Sequence, residues 1–231
     1  MKLEEKIINL VSNKIKETGV SLFLEELNNY FDSSSQMYLV GGVLRDAARS
    51  ILEDIEYKIK DVDVLVVKGD LEKAISFLKL DFTRTFFGGF RLNFNHKMQV
   101  DIWKIEKTIR TIPDENLTPL ENYLNDLYLN IDHIAFNFKD KILIDKGCTQ
   151  AIKEKVIELK FTNKEYEPQP VDLSRAISLL RRTSYKAGDK LKKVIVNNKE
   201  IVINNILKKA ETNKYYEEKK QELISIVEEL C

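Results

Sequence analysis

The sequence predicts an α/β fold: a mixed, twisted β-sheet covered by helices, followed by a small all-α C-terminal domain. Three observations predict it. An apolar run at residues 37–40 stops at Gly41-Gly42, and residues 43, 44, 47, 48, 51 and 52 after it are apolar at a helical period. Short runs rich in strand-forming residues then recur near 61–68, 82–87, 90–95, 98–105, 131–138 and 141–144. From Leu173 to Leu230 the pattern turns helical, interrupted at Gly188 and near Thr212-Asn213.

The elements follow in order. Leu3, Ile7, Leu10, Val11 and Ile15 form one amphipathic stripe, and Leu22, Leu24, Leu27 and Tyr30 suggest a second after Gly19. A helical extension over 1–35 that covers the sheet is expected, with a dimer contact as the alternative. Asp32-Ser-Ser-Ser-Gln is a short polar connection. The sheet domain spans 36–165, with helices near 43–53 and 70–79. Gly88-Gly89 lies between strand runs and reads as a bulge or tight connection. Asn95-His96 mark a hairpin turn, and Thr111 to Pro119, which contains Pro113, reads as a loop. Pro168 and Pro170 mark the boundary to a helical domain over 166–231.

Some of these residue types carry chemistry. Glycine lets the backbone approach a ligand and aim N–H groups at it. Gly41 and Gly42 would open a helix, where orphan N–H groups and the dipole favour phosphate. Arg45 in the first turn can fork onto phosphate oxygens. A glycine pair is also common punctuation, and Arg45 a common surface residue. The aspartates shift the balance. Side chains alternate along a strand, so Asp61 and Asp63 share a face while Val62 and Val64 point into the core. Two carboxylates on one face repel, and hard-oxygen ligation of Mg²⁺ gives them a purpose. Two such ions roughly 3.5–4 Å apart clamp the attacking and leaving oxygens of a phosphoryl displacement. The plain alternative is a pair of acids at the solvated start of a strand. Asp101, among strand formers Val100, Ile102 and Trp103, is a third acid, or else an edge-strand acid or a partner for Arg91.

The run Tyr38-Leu-Val-Gly-Gly-Val-Leu-Arg-Asp46, followed by Lys60-Asp-Val-Asp-Val-Leu-Val-Val67, resembles the head domain of the class II DNA polymerase β-type nucleotidyltransferases. That branch holds bacterial poly(A) polymerases and CCA-adding tRNA nucleotidyltransferases. The resemblance covers roughly 37–188 and takes in Asn130-Ile-Asp-His-Ile-Ala-Phe-Asn-Phe, the strand after the family's Arg-Arg-Asp motif. Leu143-Ile-Asp-Lys-Gly-Cys with Ala151 to Ile157 looks like the family's aspartate-glycine loop and short helix. Arg175-Ala-Ile-Ser-Leu-Leu-Arg-Arg matches the first neck helix. It implies Mg²⁺-dependent transfer of a nucleoside monophosphate from a nucleoside triphosphate to an acceptor hydroxyl, usually a tRNA or other RNA 3′ end. Asp61, Asp63 and Asp101 would be the catalytic, metal-holding acids. Gly41, Gly42, Arg45, Asp46 and Arg175 would be nucleotide-binding, with Asp46 bracing the turn.

The departures are specific. Asp126-Leu127-Tyr128 stand where the family has Arg-Arg-Asp, whose arginines help hold the nucleotide. The neck's base-reading acid and arginine have no clear match, because Asp172 falls where an arginine is expected, although Arg175 fits a second arginine position. The family's body and tail do not follow the neck. A short, divergent relative is therefore expected, one that does not add C, C and A in order.

Composition sets further bounds. Lys+Arg 37 against Asp+Glu 37 leaves no net charge, which argues modestly against a long RNA acceptor. Lys190, Lys192 and Lys193 form a basic cluster or a solvated helix face. Cys148 and Cys231 suggest neither a disulfide framework nor metal-ligand spacing, and His96 and His133 are far apart. No run of 18 apolar residues and no leader pattern is visible, so a soluble cytoplasmic protein with no membrane partner is expected. The rival readings are a nucleotide-binding or interaction module with weak or no turnover, a small-molecule or protein nucleotidyltransferase, and a tRNA-modifying toxin or defence component. The sequence does not specify the oligomeric state.

Overall fold

The computed structural model describes residues 1–31, 35–85, 88–94, 98–108, 113–160 and 168–231. The polar connection at 32–34, the hairpin turn at 95–96, most of the 111–119 loop's start and the boundary residues 165–167 lie outside the described residues. The chain divides into two compact units: 1–127 with 132–149, and 128–131 with 150–231.

The first unit is built on a seven-stranded mixed sheet. Its strands are β1 (Gln36–Val40), β2 (Asp61–Lys68), β3 (Phe82–Arg84), β4 (Phe90–Phe94), β5 (Met98–Lys104), β6 (Ile134–Asn137) and β7 (Ile142–Asp145), in the order β3-β4-β5-β2-β1-β6-β7. Within this sheet, among the described residues, only the β2–β5 pairing is parallel. The helices are α1 (Leu3–Glu17), α2 (Val20–Asn29), α3 (Gly42–Glu53), α4 (Leu71–Leu78) and α5 (Pro119–Asp126).

The registers sort the strand side chains into two faces. One carries Leu39, Val62, Val64, Val66, Val100, Ile102, Leu92 and Phe136, all buried. Helix α3 packs on this side, and Phe23 of α2 meets Phe82 and Phe94. The other face is divided along its length. At one end Tyr38, Val40, Leu65, Val67 and Ala135 are buried beneath Leu120, Tyr123 and Leu124 of α5 and Ile105 of a 3₁₀ turn. At the other end the residues in the same alternation are Asp61, Asp63 and Asp101. Strand β2 therefore changes from acid to aliphatic along one face, and α5 covers only the aliphatic part.

Several elements differ from the sequence reading. Helix α5 lies between the expected loop at Thr111 to Pro119 and Asp126-Leu127-Tyr128, where the sequence assigns no element; its signal is Pro119 at the first turn with a capping box, Thr118 against Glu121. Residues 130–132 form a 3₁₀ turn rather than the start of a strand. In α2 the inward residues are Val20, Phe23, Leu24 and Leu27, whereas Leu22 is 70% exposed. A helix that starts at Val20 turns Leu22 outward by its 3.6-residue period. Gly88, at φ 73°, closes the tight β3–β4 connection, with Thr85 N–H on the Gly89 carbonyl at 2.9 Å.

The second unit is helical: α6 (Cys148–Glu154), which begins in the first unit, then α7 (Pro170–Thr183), α8 (Asp189–Asn197), α9 (Lys199–Ala210) and α10 (Lys214–Leu230). Leu173, Ile177, Leu191, Ile195, Val202, Ile206, Leu223 and Val227 form its interior. A short parallel pair, β8 (Val156–Ile157) and β9 (Lys186–Ala187), sets Glu158 against α8, where its carboxylate accepts from the N–H groups of Lys190 and Leu191. Lys190, Lys192 and Lys193 line the exposed face of α8.

Candidate active site

The acid end of the sheet meets the start of α3. Strand β1 ends in Gly41, at φ 74° and ψ −139°, a conformation that L side chains rarely adopt. A Cβ there would sit 2.7 Å from Asp63 Oδ2. A Cβ on Gly42 would sit 3.2 Å from Arg45 Nη2 and 3.8 Å from Asp61 Oδ1. Both carboxylates thus face the glycine pair, and at Gly41 the positive φ and the close approach of Asp63 require glycine. Gly42 is the first residue of α3, so the orphan N–H groups of the first turn open at the same place. Tyr57 fixes that turn from below: buried, it donates its hydroxyl to the Val43 carbonyl at 2.9 Å. Burial first, then the nearby Asp46 charge, raises its pKa.

Arg45 has a different place from the one expected. Its side chain is 4% exposed, Nη1 donates to Asp132 Oδ1 at 2.9 Å, and Nε donates to Asp46 Oδ1 at 3.1 Å. Burial alone would lower its pKa, but Asp132 and then Asp46 outweigh burial and raise it. The physical reason is position. Residue 45 lies one turn into α3, on the side facing β6, so the guanidinium reaches the buried Asp132 rather than solvent. Asp46 braces this arrangement.

Asp132 was not singled out in the sequence. It immediately precedes the segment leading into β6, within Asn130-Ile131-Asp132. These three, separated from β6 only by His133, stand nearer the strand than Asp126-Leu127-Tyr128. An aspartate stands third, and neither arginine of the family motif is present. His133 is buried, its Nε2 2.6 Å from the Leu127 carbonyl. The aspartate-glycine loop has a capping role: Asp145 accepts from the N–H groups of Gly147 and Cys148, at 2.9 and 2.7 Å, and from the Thr149 hydroxyl.

The parallel pairing brings in Asp101, which stands in register with Asp63. Its carboxylate is forked by Arg91 of β4, Nε to Oδ1 at 2.8 Å and Nη2 to Oδ2 at 2.7 Å. The alternative reading of Asp101 as a partner for Arg91 is thus realised in the geometry. Among the described residues no three His, Cys, Asp or Glu side chains are grouped closely enough to hold a metal ion by themselves. Asp61 and Asp63 nonetheless fit Mg²⁺ by donor chemistry, because that ion takes one or two carboxylates and completes its shell with water and phosphate oxygens.

In the second unit Arg175 is an exposed residue of α7. Asp172, one turn earlier, is buried, and its Oδ2 accepts from the Gln169 N–H at 3.1 Å at the helix start.

A cavity of about 330 Å³ lies at the opposite end of β1, where Ser35, Gln36 and Asn137 meet Glu25 and Lys141. It is remote from the glycine pair, and the acids are not among its lining residues.

No family model matches this chain, and no curated protein matches it. Solved structures do. A CCA-adding enzyme with CTP superposes with a TM-score of 0.67 at 20% identity, covering 96% of this chain and 55% of that one. The fold is that of about half of a CCA-adding enzyme. A tRNA-processing enzyme in apo form I gives 0.57 at 20% identity, over 98% of this chain and 56% of that one. The Thermotoga maritima CCA-adding enzyme complexed with tRNA_CCA gives 0.54 at 21% identity, over 87% and 46%. This chain spans about half the length of these structures. Among the described residues, no helix is long and apolar enough to cross a membrane.

Proposed function

We propose that this protein is a nucleotidyltransferase that moves a nucleoside monophosphate from a nucleoside triphosphate to an acceptor hydroxyl, with release of pyrophosphate. One observation carries the reading: Asp61 and Asp63 face the Gly41–Gly42 turn at the N-terminus of α3. Two acids beside a row of backbone N–H groups suit a triphosphate, with the phosphates on the N–H groups and the carboxylates holding Mg²⁺. Mg²⁺, when bound, supplies charge neutralisation at the attacking and leaving oxygens. The glycine turn admits the phosphates close to the backbone. Tyr57 and the buried Arg45–Asp132 pair keep the first turn of α3 fixed, which costs no reorganisation during transfer. Arg45 then acts as a brace, with Asp46 beside it.

The acceptor we propose is an RNA 3′ end. The support is the likeness in fold to enzymes described with CTP, with ATP and with tRNA_CCA. The Asp101–Arg91 fork favours a second reading, a module that binds nucleotide with little turnover, because the third acid is already engaged.

The test is label transfer from α-labelled triphosphates, with Mg²⁺, to tRNA lacking its 3′ CCA. Labelled RNA is expected, reduced on the order of 10³-fold or more in Asp61→Asn and Asp63→Asn. Triphosphate binding without transfer establishes the second reading. Incorporation without C, C and A order is expected; ordered incorporation of C, C and A overturns that expectation.

A further inference from the structure

The acid end of the sheet is a stretch of like charge, and the chain must fold with it in place. Asp61 and Asp63 share a strand face, and Asp101 stands in register beside Asp63 on the neighbouring strand. Like charges directly opposite one another destabilise a sheet. The next strand supplies a cation. Arg91 pairs with Asp101 across β4 and β5, and its fork engages both carboxylate oxygens. Gln99 Nε2 adds a further contact to Oδ1 at 3.3 Å. Among the described residues the three acids do not form a closed ligand group. The hydrogen bond to Asp101 raises the Arg91 pKa, and the Asp63 and Asp61 charges raise it further, so the guanidinium is felt across the row.

We propose that Arg91 is a positioning residue: the resident counter-cation of the acid row, which holds Asp101 until metal loading opens the fork. A guanidinium fork and a divalent cation want the same carboxylate in different orientations. The fork is planar and fixed, and Mg²⁺ demands near-octahedral geometry. The two cations also repel. Arg91 is 45% exposed on its side chain and Asp101 19%, so the arginine is the partner with room to move. The inference rests on the reading of Asp61 and Asp63 as metal ligands.

The experiment is Mn²⁺ titration followed by electron paramagnetic resonance on the full chain. Arg91→Gln is expected to bind Mn²⁺ about threefold or more tightly, a size set by a partly exposed charge pair. Arg91→Lys keeps the charge without the fork and is expected to fall between wild type and Arg91→Gln. In an Asp101→Asn background the Arg91→Gln change is expected to lose most of its effect, since the fork, the largest part of the coupling, runs through Asp101. Unchanged or weaker Mn²⁺ binding in Arg91→Gln overturns the proposal, and so does an equal gain in the Asp101→Asn background. Far-UV circular dichroism establishes that each variant is folded, and Arg91→Lys carries the comparison if Arg91→Gln is not. Mn²⁺ binding that persists in Asp63→Asn overturns the metal-site reading itself, a result distinct from the failure of Arg91 to affect a site that does bind.

Discussion

Removing Asp132 should destabilise the first unit far more than removing any surface acid. The Arg45 and Asp132 side chains are 4% and 3% exposed and meet at 2.9 Å. Breaking a buried pair by deleting one partner leaves an uncompensated charge and costs about 3–5 kcal/mol. Asp46 retains one hydrogen bond to Arg45 and is 38% exposed, so it offsets only part of that loss. The lower end, about 3 kcal/mol, is therefore expected for Asp132→Ala. For a chain of this size the midpoint shift is roughly 2–4 °C per kcal/mol, so about 6–12 °C. Asp132→Asn keeps an acceptor oxygen and should lose less. Replacing both partners, Arg45→Met with Asp132→Leu, should recover part of the stability, because buried ion pairs are often no better than well-packed apolar side chains. The assay is urea unfolding followed by circular dichroism, with ATP titration calorimetry on the variants that remain folded. A loss below about 1 kcal/mol, the range of an exposed pair, would refute the reasoning. So would an Arg45→Ala variant of native stability that loses only ATP affinity, since Arg45 would then hold the triphosphate and not the helix.

Three further outcomes follow from local geometry. Gly41→Ala forces a Cβ to within 2.7 Å of Asp63 Oδ2 at a φ of 74°, so it should cost about 1–3 kcal/mol and weaken Mn²⁺ binding; a variant with native stability and metal affinity contradicts the described turn. Cys148 is buried, and burial followed by the Asp145 charge raises its pKa, so thiol titration with an aromatic disulfide should show Cys231 reacting at once and Cys148 only on unfolding; two fast thiols refute this. The Lys146 contact, with the Thr118 cap, depresses the Glu121 pKa to about 2. A depressed pKa stabilises the fold above the unfolded value and loses that contribution as pH falls through the folded one. The stability difference between wild type and Glu121→Gln should thus shrink between about pH 4.3 and 2; a difference independent of pH assigns the contact to neutral hydrogen bonding.

Much of the site was legible because its signals are local. The Gly41–Gly42 turn opens α3, and Asp61 and Asp63 share a face, as periods of 3.6 and 2 require. Asp101 was legible as an acid on a strand, but not which of its alternatives holds, because β4–β5 register decides that Arg91 stands opposite. Arg45 was misplaced for a similar reason. One turn into a helix, a long cation reads the same whether it faces solvent or a buried acid, and Asp132 lies on an element far along the chain. Asp132 itself was passed over because the strand was started too early, at residue 131, and the 3₁₀ turn was absorbed into it. Helix α5 was hidden by two prolines, although Pro119 favours a first helical turn.

The parallel pairing of β2 with β5 also decides when the acid row comes into being as the chain folds. Antiparallel neighbours such as β4 and β5 need only a short turn and can zip up locally. Strands β2 and β5 run the same way, so α4, β3 and β4 must all intervene before Asp63 meets Asp101. Contacts of large sequence separation carry a loop-closure cost and form slowly. The β3–β4–β5 meander, with the Arg91–Asp101 fork already made within it, can therefore assemble before it docks beside β2. Asp101 would then arrive beside Asp61 and Asp63 already neutralised, and the most repulsive step in building the sheet is avoided by the order in which its strands pair.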